Sequence, residues 1–164
     1  MEDWKLYITN LGKYTEGRLV GEWFTVPVNM EEVKEKIGLN DEYEEYAIHD
    51  YELPFEVGEY ESIERINSLY HQLEDAGEDV LLDLRALMRA FDSAEELIDN
   101  LDNLIFCKGI ESLEDMAKKF VEEGYYGEVP EKLRCYIDYE AIARDLAING
   151  TFVITENGIW NVKE

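Results

Sequence analysis

Apolar and polar positions alternate at the start of the chain. Trp4, Leu6 and Ile8 are interleaved with Lys5, Tyr7 and Thr9, the period-two pattern of a strand with one buried face. A second β-rich run, Leu19–Val26, stops at Pro27, whose ring cannot donate to a strand ladder. Asn29 is placed to cap a short helix, with Glu32 three residues on as its capping-box partner. That helix runs to about Ile37 and ends at Gly38, which accepts the left-handed backbone of a C-cap. Tyr43–Tyr51 reads as a third strand, closed by Leu53-Pro54.

From residue 61 the period lengthens to that of a helix. Ser62 is an N-cap, and Ile63, Ile66, Leu69, Tyr70 and Leu73 fall on one helical face before Gly77 breaks the run. Val80, Leu84, Leu87, Met88 and Phe91 form a second stripe. Ser93, with Glu96 three residues later, opens a third helix carrying Ala94, Leu97, Ile98 and Leu101. These stripes read as core, and Glu64, Glu74, Asp75, Asp79, Asp83, Glu95 and Asp99 are assigned to the watered face. Leu104–Cys107 resembles a strand. Ser112 with Asp115 starts a helix reaching about Glu123, ended by Gly124, and Asp138 caps a helix through about Ala147. Thr151–Thr155 and Ile159–Val162 flank Asn157-Gly158, which predicts a hairpin with a type I′ turn. The pattern as a whole predicts an α+β fold in three segments: mixed α/β over 1–60, helical over 61–103, and α+β over 104–164.

Charge changes this picture more than any other property. The 164 residues hold 39 acids and 15 bases, a net charge of −24. With 46% hydrophobic and 12% aromatic residues there is ample material for a core, so the acidity is not that of a disordered chain. The imbalance is uneven. Residues 1–36 carry a net −2, residues 37–107 a net −17, and residues 108–164 a net −5. Between Ile37 and Glu64 there are ten acids and no Lys or Arg. Solubility alone needs a net charge of only about 2–8 on a small domain. A larger excess costs stability through self-repulsion, and so suggests a use.

Such an imbalance repels nucleic acid and anionic membranes and attracts basic surfaces, of which the commonest large ones in a cell are those built to hold nucleic acid. No apolar run approaches the roughly 20 residues of a membrane span. The start, Met1-Glu2-Asp3-Trp4-Lys5, has no signal-peptide pattern, so a cytoplasmic location is expected. A compact chain of this length is about 40 Å across, and a duplex carries one charge per roughly 1.7 Å, so the charge per length of the two would match.

Chemistry other than charge display finds little to stand on. His49 and His71 sit in no metal or triad motif, and Gly12, Gly17 and Gly21 match no phosphate loop. The run Asp41-Glu42-Tyr43-Glu44-Glu45-Tyr46 puts tyrosine at two positions where a calcium loop needs an oxygen ligand or glycine. Cys107 and Cys135 form no CxxC pair and read as reduced thiols. No enzyme activity, cofactor or metal is expected. A pair of carboxylates at glycosidase spacing is bound to occur by chance among so many. Asp41, Glu42, Glu44, Glu45, Asp50, Glu52, Glu56, Glu59, Glu61 and Glu64 form the densest stretch, and this is the expected partner-binding surface, extended by Glu74, Asp75, Asp79, Asp83, Glu95 and Asp99. An acidic module that binds a histone-like or other basic nucleic-acid-binding protein fits the same composition.

Specific words in the sequence narrow the choice. Tyr7-Ile8-Thr9-Asn10-Leu11-Gly12-Lys13-Tyr14 resembles the opening of the ArdA antirestriction proteins. Gly21-Glu22-Trp23-Phe24, the stretch from Glu31 to Leu39 and the acidic run from Asp41 to Phe55 are similar too. Further on, Gly127-Glu128-Val129-Pro130, Tyr136-Ile137-Asp138-Tyr139, Ala143-Arg144-Asp145-Leu146 and Gly150-Thr151-Phe152 carry the resemblance, while about 65–125 is alike mainly in acidity and helicity. The resemblance implies a protein of conjugative plasmids and transposons that inhibits type I restriction-modification enzymes. It implies an elongated homodimer, three small subdomains per chain, with carboxylates in the places of the phosphates of bent DNA. Val129–Asp145 resembles the antirestriction motif of the family, associated with the dimer interface. By that likeness Leu133, Tyr136, Ile137, Asp138, Tyr139, Ala143, Arg144 and Asp145 are the interface residues, of which Leu133, Tyr136, Ile137, Tyr139 and Ala143 could equally be core.

Overall fold

A computed structural model describes residues 4–162. The chain divides by contact into two compact units, one through Ile98 and one from Asp99. The first contains β1 (Lys5–Asn10), α1 (Leu11–Thr15), β2 (Gly21–Thr25), α2 (Met30–Ile37), β3 (Tyr46–Glu52), α3 (Ile63–Glu74), α4 (Glu78–Leu82) and α5 (Leu84–Leu87), and α6 (Ala94–Asp99) ends at its border. The second contains β4 (Leu104–Lys108), α7 (Leu113–Glu122), α8 (Glu131–Arg134), α9 (Tyr139–Asn149), β5 (Thr151–Ile154) and β6 (Gly158–Val162). Each unit has its own three-stranded antiparallel sheet with helices beside it, an α+β arrangement.

In the first unit β1 is the central strand, in the order β2-β1-β3. On its core face the alternation holds, since Leu6 and Ile8 are fully buried and meet Phe24 and Ile48 across the ladders, but Thr9, expected on the polar face, is fully buried as well. The opposite face pairs Lys5 with Glu52, and Tyr7 with both Asp50 and Trp23. A bulge between Tyr7 and Ile8 shifts the β3 register at His49. Helix α2 is capped by Asn29 and ended by Gly38 in the left-handed conformation, φ 69°. Asn29 accepts from the Glu31 amide at 2.9 Å, and Glu32 is turned to Lys36 at 2.9 Å instead of closing a capping box. The third strand starts later than its composition suggests. Asn40 holds a turn through the Glu42 and Tyr43 amides, 2.8 and 3.0 Å, and keeps that stretch out of the ladder.

The apolar stripe of α3 is buried as Ile63, Ile66, Leu69 and Leu73, each contributing about 1.5–3 kcal/mol of transfer free energy. The helix is tied to the N-terminal strands. Asn67 exchanges two hydrogen bonds with the Val28 backbone, 2.7 and 2.8 Å, and Trp4 lies edge-on to Phe55 and Tyr70 at 5.4 and 5.5 Å. The second stripe forms two short helices, not one, and they meet at Asp83.

In the second unit the order is β4-β6-β5, with Ile159 and Trp160 buried on the central strand and Phe106 stacked on Trp160 at 4.3 Å. Ser112 caps α7 and Asp138 caps α9, as their spacing predicts. The terminal hairpin forms, but its turn is not type I′. Thr155 pairs with Gly158, so Glu156 and Asn157 are the central residues, and no non-glycine residue among those described has positive φ. The Asn157 amide is held instead by the Thr155 hydroxyl at 3.1 Å. Glycine at 158 is required by the neighbouring strand. There β4 passes so close that a Cβ would strike the Cys107 carbonyl oxygen. No helix of the described residues is long and apolar enough to cross a membrane.

Candidate functional site

The acid-rich stretch is displayed by a turn, an edge strand and a loop in succession. The Asn40 turn projects Asp41 and Glu42, while the Tyr43 side chain folds back to donate to Glu16 at 3.2 Å and meets Lys13 at 5.6 Å from its ring. Desolvation and the Glu16 carboxylate hold the Tyr43 phenol above its ordinary pKa. Glu44 and Glu45 lead into β3, whose position at the sheet edge sets Asp50 and Glu52 on the face that also carries Tyr7 and Trp23. The loop after β3 brings Glu59 alongside that strand, fixed by the Ile48 amide donating to the Glu59 carbonyl at 2.8 Å, while Glu56 stands at the cavity lined by Arg65, Arg85 and Arg89. The charge of Glu59 raises the pKa of neighbouring Tyr60, itself 70% exposed.

Of the ten acids between Asp41 and Glu64, nine are exposed and Glu61 is half-buried. Three have a cationic or histidine partner: Glu52 with Lys5 at 3.8 Å, Glu59 with His49 at 3.5 Å, and Glu61 with Arg65 at 3.0 Å. Asp41, Glu42, Glu44, Glu45, Asp50, Glu56 and Glu64 have no ion pair among the described residues. Glu74, Asp75 and Asp99 are exposed, Asp79 and Glu95 half-buried, with Glu74 near His71 at 3.6 Å and Glu95 held by Arg65.

Asp83 does not face water. It is 5% exposed, at the junction of α4 and α5. Lying three residues after Val80 and four before Leu87, it falls within the apolar stripe, and it ends one helix while its carbonyl accepts from the Ala86 and Leu87 amides of the next. The hydrophobic pattern gives no sign of Trp23. Its exposure, 40%, on the sheet face where Tyr7 separates it from Asp50, follows from strand register, which composition does not reveal.

In the second unit Leu133 on α8 and Tyr136 just after it are 54% and 82% exposed. Ile137, Tyr139 and Ala143 are half-buried, and Arg144 and Asp145 are exposed, Arg144 lying 4.0 Å from Glu140. Asp138 is occupied as the cap of α9, accepting from the Ala141 amide at 2.9 Å. Neither α8 nor α9 has a fully buried residue, and Ile148 on α9 is 78% exposed.

One arrangement invites a catalytic reading. Thr9 Oγ1 lies 3.3 Å from His49 Nδ1, and His49 Nε2 lies 3.5 Å from Glu59, the order of a nucleophile, a base and an orienting acid. Thr9 is fully buried and its hydroxyl also lies 3.3 Å from the Ala47 carbonyl, so no substrate can reach it. The three groups fasten the bulge instead. Among the described residues no three His, Cys, Asp or Glu side chains are grouped to hold a metal ion.

The stretch from Asp41 to Glu64 thus displays exposed carboxylates, seven of them in no ion pair among the described residues. No curated protein matches the chain. A family model does: that of the antirestriction protein ArdA matches residues 6–161, nearly the whole length. The family is one of non-catalytic inhibitors directed at restriction enzymes, and antirestriction activity goes with membership. The chain belongs to the ArdA antirestriction family.

Proposed function

We propose that the protein acts as a DNA mimic, occupying the DNA-binding groove of type I restriction-modification enzymes and so protecting incoming mobile DNA. The observation that carries this reading is the display between Asp41 and Glu64: nine exposed acids of ten, seven of them in no ion pair among the described residues. A groove lined with Lys and Arg gains free energy from such an array as it does from phosphates. Carboxylates present no base edges, so the protein should act against enzymes with different recognition sequences. It needs no cofactor, binds no nucleic acid itself and works in the cytoplasm.

A titration tests this. Added to a type I enzyme bound to labelled DNA, the protein should displace the DNA competitively, at one-to-one stoichiometry per groove, and less well as salt rises. Displacement only from a histone-like protein would favour the general acidic module, and action at trace amounts would favour an enzyme.

We further propose that the chain is a homodimer, joined through α8 and α9, and that its three sequence segments form an elongated body. Exposed Leu133, Tyr136 and Ile148, on helices that bury nothing fully within the chain, support a second copy as their cover. Tyr136→Asp with Ile148→Asp should shift the sedimentation coefficient to that of a monomer. A wild-type chain that sediments as a monomer at about 100 μM would remove the dimer.

A further inference from the structure

Residues 37–107 hold twenty acids and only three Lys or Arg residues: Arg65, Arg85 and Arg89. All three line one cavity of about 470 Å³ in the first unit, formed where the loop after β3 meets the segment from α5 to α6. In a region so rich in carboxylates every guanidinium would be expected to find a partner. Arg65 does, with Glu61 at 3.0 Å and with Glu95, whose carboxylate also accepts from Arg65 Nε at 2.6 Å. Arg85 and Arg89 are exposed at the cavity and make no ion pair among the described residues. Two guanidiniums kept unneutralised at a concave site are what an anion would need there.

The rest of the lining says which kind of anion. Leu53, Pro54, Phe55, Met88, Phe91 and Ala94 supply apolar wall, and the volume lies within the roughly 300–1,000 Å³ typical of small-molecule sites. Glu56 and Asp92 also reach the rim, so the local excess of positive charge is small. A phosphate dianion would meet those two carboxylates and leave the apolar wall empty. A monoanion on an apolar stem would place its two oxygens on the guanidinium forks and its body against the wall. The acids elsewhere on the molecule repel it weakly, because their field is screened over about 8 Å at physiological salt.

We infer that this arginine-lined cleft is a binding site for a small organic monocarboxylate with an apolar body. Arg85 and Arg89 bind the carboxylate, and Phe55, Met88 and Phe91 hold the apolar part. The inference does not depend on the decoy reading, since neither needs the other and inhibition is not the readout.

The test uses the full chain with methyl-labelled Met and Ala, followed by NMR as probes are added at 0.15 M salt. The probes are 3-phenylpropionate, its neutral amide, inorganic phosphate and the doubly blocked peptide acetyl-Phe-Glu-amide. 3-Phenylpropionate should shift the Met88 and Ala94 methyls saturably with a Kd of about a millimolar, the affinity open to so few atoms. The amide and phosphate should bind at least about tenfold more weakly, a loss equal to one or two charge-assisted hydrogen bonds. Arg85→Gln with Arg89→Gln should weaken the acid about tenfold, and Arg85→Lys with Arg89→Lys, which keeps the charge and loses the fork, should fall between. The comparison of acid with amide needs no variant, so it holds even if the glutamine pair misfolds. Equal binding of acid and amide, equal or tighter binding of phosphate, or binding of the peptide without the free acid would each overturn the proposal.

Discussion

Single side chains in this protein report the field they stand in. The Tyr60 phenol is held above its ordinary pKa first by the charge of Glu59, then by desolvation, a hydrogen bond to Glu59 and the charge of Glu45. A raised pKa in the folded state means that folding resists ionisation of the ring. Stability from this group is present below the ordinary tyrosine value, near 10, and is lost as pH rises through the folded value. Glu59→Gln should therefore lower the Tyr60 pKa, and so should 1 M salt, which cuts the screening length to about 3 Å. Tyrosine-labelled NMR through an alkaline titration reads both shifts. A Tyr60 pKa unmoved by Glu59→Gln would show that burial, and not the neighbouring charge, sets it. Asp83 makes the opposite point at the same scale. It is as acidic by composition as Glu59, yet it is buried among the helices and adds nothing to the displayed charge.

At the scale of elements, much of what the family-like stretches near the start of the chain encode is joinery. Asn10 is fully buried at the end of β1. Its side chain accepts from the Lys13 amide at 3.0 Å, capping α1, and donates to the Ile37 and Gly38 carbonyls at 3.2 and 3.1 Å, holding the end of α2. Gly12 leaves room for the Tyr43 ring, and Gly21 for Thr9 on the neighbouring strand. Asn10→Ala removes a cap and strands two carbonyls, so it should destabilise the first unit by about 2–4 kcal/mol. Urea unfolding of the first unit, followed by tryptophan fluorescence, measures the loss. A change below about 0.5 kcal/mol would mean that water replaces the three bonds at no cost. This division between local and distant bonds also marks what could be read from the sequence. The caps at Asn29, Ser62, Ser112 and Asp138 were legible because a cap and its amide lie two or three residues apart. Alternation identified β1 for the same reason, and the Asn157-Gly158 pair marked β5 and β6 as the arms of a hairpin. The one-turn helices α1 and α8 were missed, since four or five residues carry no period. The split at Asp83, the late start of β3 and the hairpin turn rest on polar bonds two to four residues long, which an apolar period does not record. The arginine-lined cleft does depend on partners elsewhere in the chain, for it joins Leu53–Glu56 to Arg85–Ala94 across about thirty residues of sequence.

For the whole molecule the useful quantity is how far one charge reaches. At physiological salt the Debye length is about 8 Å, and an exposed carboxylate about 7 Å from a cation of a partner is worth roughly 0.3 kcal/mol after screening. One such group among many is nearly dispensable, and the sum is not. On the proposed mechanism, changing any one of Asp41, Glu42, Glu44 and Glu45 to its amide should weaken inhibition of a type I enzyme by at most about twofold. Changing all four should weaken it by roughly tenfold, with no fall in melting temperature, because the substitutions remove repulsion and touch no ion pair among the described residues. The same four-fold variant should lose affinity less steeply with salt than the wild type, since it has fewer charges to screen. Each effect is read from DNA displacement curves at two or three salt concentrations, with circular dichroism to confirm the fold. The pattern separates a shared field from a specific contact. If one of the four single changes abolished inhibition while the fold stayed intact, the groove would be recognising a particular carboxylate. If the four-fold variant inhibited as well as wild type, this stretch would lie outside the contact altogether. The decoy would then have to rest on acids of α3–α6 or on the second unit, whose excess charge is less than half of that in residues 37–107.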